Sequence, residues 1–365
     1  MRAAVYHGTR DVRVEDVPAP GAPGQGELLL EVARCGICGT DVAEFLAGPH
    51  LIPQRPHPAT GRALPLTIGH EFTGRVLAAG PGAAGFRAGD RVASSAVVTC
   101  GECRPCRRGR PNLCERYHAL GLQGDGGLAE QVLVPARSCV PVAPGCSDDN
   151  AALAQPLAIA LHAFRQTPRR PDGAMLLLGA GGIGALYLAV AKSRGCRVLV
   201  ADPDPVALDR ARALGADATL DLRSEPLAQG LVRWAGEDSV ATIVECSGRA
   251  ESLAAAAPLV EPGGALVLVG HQRGAVALDL LSLTVREVTV ATSQALVNEV
   301  DLPAAAELLA GQDLAPLLVD RVIPLEGVVP DGLLAFARGE VHGKVLIDPG
   351  RPHGEPPAGR GEWRA

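Results

Sequence analysis

The stretch MLLLGAGGIGALYLAVAKSRG (175–195) constrains this chain more than any other. An apolar run of strand length leads straight into Gly179-Ala180-Gly181-Gly182-Ile183-Gly184, and a helical pattern follows. The six residues fit G-x-G-x-x-G, and the strand before and helix after give the pattern its meaning. Gly179 serves the tight turn, Gly181 lets the backbone approach a pyrophosphate, and Gly184 lets helix pack on strand. Gly182 and Ile183 open the helix, whose N-terminus turns its positive end to the phosphates. The next apolar run, RVLVAD, ends on Asp202. An acidic residue there bonds ribose hydroxyls and repels a 2′-phosphate, which favours NAD(H) over NADP(H). The competing reading, a glycine-rich turn with no ligand, leaves Asp202 unexplained.

The pattern continues downstream. PVALDRARALG reads as a helix, ATLDL, ATIVEC (241–246) and ALVLVG (265–270) as apolar β-rich runs between helical segments, and VTVAT (288–292) as a further strand. Strands alternating with helices imply a parallel sheet covered on both faces. Residues 1 to about 150 differ: runs such as Glu27–Val32 and Gly89–Ala93 sit between Gly and Pro clusters, as in barrel-like β folds. Residues 51–66, LIPQRPHPATGRALPL, read as a long irregular loop. Helices near Leu302–Ala310 and Pro330–Arg338 precede a closing strand in GKVLIDP (343–349). The run from 349 to 365 lacks periodicity and reads as a disordered tail.

With 365 residues the chain has room for two domains, and 47% hydrophobic with 20% charged residues suits a globular protein. A net charge of -6 does not favour nucleic acid as a partner. No uninterrupted apolar run reaches the roughly 18 residues of a membrane span. The opening MRAAVYHGTRDVRVEDV lacks the apolar core and cleavage site of a secretion signal, so the expected location is the cytoplasm.

Cysteine usage agrees. Of ten cysteines, Cys100, Cys103, Cys106 and Cys114 follow C-x2-C-x2-C-x7-C. Four thiolates on one loop make a closed tetrahedral zinc cage, with no position open for chemistry. Cys35 and Cys38 have the spacing of a redox pair but no thioredoxin-like surroundings. A catalytic zinc needs an open position beside its protein ligands, and Cys38, His70 and Glu71 are the candidates. Taken singly, Cys38 reads equally as a buried apolar thiol and His70 as a core histidine.

In that order, CGICGTD (35–41), GHEFTG (69–74), the four-cysteine lobe, GAGGIG and Asp202 resemble the zinc-dependent medium-chain dehydrogenases. The resemblance spans about residues 1–348 and is greatest to the 2,3-butanediol and sorbitol (polyol) dehydrogenase branch, whose long loop with PHPATG it shares. It implies an α/β chain: a GroES-like β-rich catalytic domain (1–152, with the structural-zinc lobe at about 96–116, completed by 296–348) and a Rossmann doubly wound parallel sheet (153–295). It further implies two Zn2+ per chain, NAD(H), a small alcohol, diol or ketone as substrate, and a homodimer or homotetramer. By the same resemblance, Cys38 and His70 ligate catalytic zinc, and Glu71 is a ligand or an exchangeable neighbour. Thr40 passes the substrate proton outward, Asp41 lies beside the zinc ligands, and Gly270 and His271 face the nicotinamide end.

Two positions depart from the pattern. Polyol-type relatives carry Glu-Pro where this chain has Gln155-Pro156, so one negative charge is lost near the metal, though the amide oxygen can still coordinate. Ala43 stands where relatives often place a relay histidine, leaving Thr40 to pass its proton to water, His50 or His57. These departures admit two alternatives: a reductase of an iminium or activated alkene with an altered relay, and a non-catalytic nucleotide-binding protein.

Overall fold

The computed structural model describes residues 1–168, 174–236, 239–272 and 274–352. The chain forms two compact units. One contains residues 1–158 and the described residues from 296 onward; the other spans Ile159–Ala295.

In the first unit the long strand Glu27–Gly36 is the organising element. Its sheet runs in the order Cys139–Pro141, Arg91–Ser94, Glu71–Ala79, Glu27–Gly36, Lys344–Asp348, Val319–Pro324, and Gln131–Pro135 also pairs with Glu27–Gly36. Burial alternates along Gln131–Pro135 as one-sided β-structure requires. Tyr6, Leu28, Leu30, Ile37, Phe72 and Leu128 fill the core. Register then decides what meets at the end of the central strand: Gly36 lies opposite Glu71 on one side and Leu346 on the other. Strands from residues 71 and 344 thus flank the same glycine.

The return segment is pinned by asparagines. Asn298 bonds Ser95 Oγ (2.6 Å) and the Val97 carbonyl (3.0 Å), at the start of the helix Asn298–Gly311. Asn150 donates to the carbonyls of Leu309 and Gln312 and accepts from the N–H groups of Leu314 and Ala315. Of the expected tail, Pro349 and Arg351 are fastened, Pro349 O by Arg2 and Arg351 to Val322 O, while residues 353–365 lie outside the described residues.

The second unit holds six parallel strands in the order Ala218–Asp221, Arg197–Asp202, Ala174–Leu178, Val240–Glu245, Val260–Leu268, Thr289–Thr292. In chain order this is 3-2-1-4-5-6, the doubly wound arrangement. The order reverses between Ala174–Leu178 and Val240–Glu245, and ligands of such sheets bind beyond the carboxyl ends of strands at that point. Strand Val240–Glu245 is buried along its whole length, as a strand covered on both faces must be. The apolar run expected at 265–270 ends as a strand at Leu268. Among the described residues no helix is long and apolar enough to cross a membrane.

Candidate active site

The four cysteines of the lobe converge as their spacing requires. Their sulfurs lie 3.4 Å (Cys103–Cys106), 3.5 Å (Cys100–Cys114), 3.8 Å (Cys103–Cys114) and 4.0 Å (Cys100–Cys106) apart. Four thiolates about 2.3 Å from a tetrahedral zinc stand about 3.8 Å from one another, so the pocket fits that ion. Backbone N–H groups of Cys100 and Arg116 point at Cys114 Sγ, and that of Cys103 points at Cys100 Sγ. Such donors favour thiolate over thiol. The N–H groups around Cys100, that of Glu102 first, hold its thiol down to about 6.

The second cluster joins two elements. Cys38 caps the helix Gly39–Ala47, and its N–H donates to Asp41 Oδ2 at 2.8 Å. His70 immediately precedes the strand Glu71–Ala79, which Glu71 opens. Ligand atoms of Cys38, His70 and Glu71 all lie within 4.8 Å of one another. Asp41, itself buried, sets its Oδ1 3.3 Å from His70 Nδ1, a contact longer than a good hydrogen bond. With Nδ1 turned to a carboxylate, the other ring nitrogen is left for a metal, as in carboxylate–histidine–zinc arrangements. Burial lowers the affinity of the imidazole for a proton, but the facing Asp41 and Cys38 raise its pKa well above the ordinary value. Asp41 and Cys38 thus place negative charge around buried His70, which suits a cation. Thr40 Oγ1 lies 3.8 Å from Cys38 Sγ.

The sequence reading missed Lys344. Its Nζ lies 2.5 Å from both oxygens of Glu71, and both side chains are buried. Glu71 raises the lysine's pKa against the opposing effect of burial. The pair forms over Gly36: a Cβ there would stand 2.6 Å from Glu71 Oε2. Only a residue without a side chain lets the carboxylate cross the central strand. Gln155 lies in the first turn of Ala154–Gln166, 5% exposed, and among the described residues its Oε1 has no hydrogen-bond partner. A buried, unpartnered amide oxygen fits a metal-ligand role. Of the loop histidines, His50 gives its N–H to Glu44, and the His57 ring packs 6.2 Å from that of His118.

In the second unit the glycine motif sits at the point of strand reversal. Gly179 has φ +88°, and a Cβ on Gly184 would lie 1.9 Å from the Gly179 carbonyl, so both the turn and the close packing demand glycine. A Cβ on Gly181 or Gly182 would meet nothing within 4 Å, so the N-terminus of the helix Gly182–Ser193 opens onto free space able to take phosphate. Asp202 accepts from the N–H groups of Ala180 (2.7 Å) and Asp204 (2.8 Å). Each carboxylate oxygen keeps a lone pair for a ribose hydroxyl. Buried Arg210, which spacing did not single out, donates to the Ala180 carbonyl at 2.5 Å and so holds the same residue through the next peptide. The Gly270 N–H donates to the Glu245 carbonyl at 2.8 Å, and His271 is exposed.

Comparison with known proteins agrees with this geometry. The alcohol dehydrogenase GroES-like domain model matches residues 24–144, and the zinc-binding dehydrogenase model matches 182–311. The 2-dehydro-3-deoxy-L-galactonate 5-dehydrogenase of Pseudoalteromonas atlantica is 31% identical over 330 residues, 90% of this chain and 93% of that protein. The chain belongs to the zinc-dependent medium-chain dehydrogenases. The crystal structure of 2R,3R-butanediol dehydrogenase from Bacillus subtilis matches this medium-chain dehydrogenase with a TM-score of 0.88 at 28% identity, covering 95% of this chain and 99% of that one. Two further solved structures at TM-score 0.84 carry coenzyme. A zinc-binding dehydrogenase from Sinorhizobium meliloti (28% identical) is bound to NADP, and an alcohol dehydrogenase from Escherichia coli CFT073 (27% identical) is complexed with NADH. Each covers 95% of this chain and 99% of its own.

Proposed function

We propose that this dehydrogenase interconverts a small secondary alcohol, diol or polyol and the corresponding ketone, with zinc and NAD(H). The observation that carries the reading is the convergence of Cys38, His70 and Glu71, with Asp41 orienting the histidine. Bound there, zinc would supply Lewis acidity toward the substrate oxygen, while the coenzyme exchanges the hydride. Cys38 and His70 are its ligands. Both oxygens of Glu71 are held by Lys344, which favours an exchangeable neighbour over a permanent ligand. Thr40 holds the substrate proton at Oγ1 and hands it outward, and Gly270 and His271 border the nicotinamide half of the coenzyme. The four-cysteine lobe holds a second, structural zinc. Asp202 favours NAD(H), although one similar structure carries NADP. The decisive experiment is a diol and polyol panel with NAD+ and NADP+, before and after chelation. Activity that survives complete loss of the catalytic metal would sink the zinc role.

The non-catalytic alternative predicts one zinc per chain, retained by the lobe; the enzyme reading predicts two. Gln155 sharpens that count. Exchanging Gln155→Glu returns a negative charge to the buried helix start, and zinc affinity is expected to rise about tenfold or more in competition with a chelator. An unchanged affinity would remove Gln155 from the ligand set.

A homodimer is supported by one face of the second unit. Among the described residues the edge strand Thr289–Thr292 leaves one side of the sheet unpaired; Val290 on it is exposed, and Leu280, Leu281 and Val285 in the helix that precedes it are 69–74% exposed. A second copy, meeting the first through a two-fold axis, would cover that face. The double variant L281E/V285E is expected to run as a monomer in light scattering at concentrations where the parent is larger. A variant that keeps the parent's mass would move the interface elsewhere. Among the described residues no two cysteines form a disulfide, which supports a reducing compartment such as the cytoplasm.

A further inference from the structure

We propose that Glu245 is a positioning residue for the coenzyme, one that fastens together the two loops following strands Val240–Glu245 and Val260–Leu268. The inference rests on the coenzyme reading above. Glu245 is 0% exposed. A buried carboxylate is costly unless its lone pairs are filled. Its Oε1 accepts from the N–H groups of Ser247 (2.8 Å) and Gly248 (3.0 Å) and from the Ser247 hydroxyl. Its Oε2 accepts from Gln272 Nε2 at 2.6 Å. Its backbone carbonyl takes the N–H groups of Val269 (2.9 Å) and Gly270 (2.8 Å). Among the described residues no lysine or arginine pairs with it; its charge is met by neutral donors.

That arrangement explains why the residue is acidic. An ionised carboxylate accepts on both arms, so it takes Ser247, Gly248 and the Gln272 NH2 at once. Its place gives the arrangement a purpose. Val240–Glu245 is the strand beside Ala174–Leu178, at the reversal of strand order. A Cβ on Gly179 would stand 2.9 Å from Ser247 N, so the loop that Glu245 holds abuts the first glycine of the coenzyme motif. A Cβ on Gly270 would stand 2.4 Å from Gly248 N and 2.8 Å from Glu245 Oε2. Loosening the Glu245 side chain therefore frees 247–248 and Gln272 together and removes the backing of Gly179.

The test is Glu245→Gln in the full-length enzyme. The substitution keeps the shape but puts an NH2 where Oε2 accepted, so Gln272 must turn its amide over or lose the bond. Two measurements read it: fluorescence titration with NADH, and amide hydrogen exchange. Loss of one charge-assisted hydrogen bond predicts an NADH Kd raised about tenfold. Exchange at Ser247 and Gly248 is expected to accelerate by about the same factor, with both zincs retained. The double variant E245Q/Q272E swaps carboxylate and amide and is expected to recover most of the lost affinity. Faster exchange with a Kd within about twofold of the parent would make Glu245 a structural residue only and overturn the proposal, as would unchanged exchange. If E245Q does not fold, Gln272→Leu removes one donor and is expected to weaken NADH binding about threefold; an unchanged Kd again overturns the proposal. A parent that binds no nicotinamide coenzyme overturns this proposal and the coenzyme reading together. Failure of the proposal alone looks different: the parent binds, and E245Q binds equally well.

Discussion

A Cys38→Ala chain is expected to hold one zinc where the parent holds two, and to oxidise its alcohols at least about a thousandfold more slowly. The size of the effect follows from the charges at the site. Asp41 is turned to His70, and Glu71 is neutralised by Lys344. That leaves the Cys38 thiolate as the ligand whose negative charge is not already committed to a cationic neighbour. Removing it leaves His70 and a paired carboxylate, too little to retain the ion against water. Loss of Lewis acidity costs several kcal/mol of transition-state stabilisation, and about 4 kcal/mol is a thousandfold in rate. Zinc content and kcat/KM on one diol check the result together. Two zincs retained, or a rate within about tenfold of the parent, would mean that the cluster is not the reaction centre.

Lys344→Met is expected to produce the largest loss of stability of any conservative exchange near the site. It leaves Glu71, 1% exposed, as a buried carboxylate without its cation. Breaking a buried pair from one side costs about 3–5 kcal/mol. Measured by denaturant, the midpoint of the first unit's unfolding should fall, and fall further after zinc is removed, since a bound cation can take over part of the lysine's work. A midpoint equal to the parent's in the zinc-free protein would show that Glu71 is protonated or solvated there. Lys344→Arg keeps the charge and should restore most of the loss.

Both expectations turn on contacts that spacing along the chain does not reveal. The two motifs that were legible are contiguous: four cysteines in one lobe, and six residues between a strand and a helix. Local geometry alone brings each of those sets together, so a spacing rule suffices. Cys38, His70 and Glu71 were legible as candidates because the family pattern orders them, and the fold brings their ligand atoms within 4.8 Å. Lys344 was not legible. Its partnership with Glu71 depends on two strands flanking Gly36, which is a matter of sheet register. Arg210 and Glu245 escaped for a different reason. Their partners are backbone groups and, for Glu245, the side chains of Ser247 and Gln272, and no side-chain motif advertises a carbonyl or an N–H. Gln155 and Ala43 were visible as departures, yet only the folded structure shows the buried Gln155 amide oxygen without a hydrogen bond among the described residues.

The crossing of Glu71 over Gly36 also has a consequence for the order in which the protein can be made. Cys38, His70 and Glu71 have all been synthesised by residue 71, but the cation that balances one of them arrives only with residue 344 of 365. For most of synthesis the nascent first unit carries a carboxylate beside its metal ligands with no lysine to meet it. Chains that stop short of the last strand keep that imbalance permanently, so a complete carboxyl end is a condition for a settled metal site.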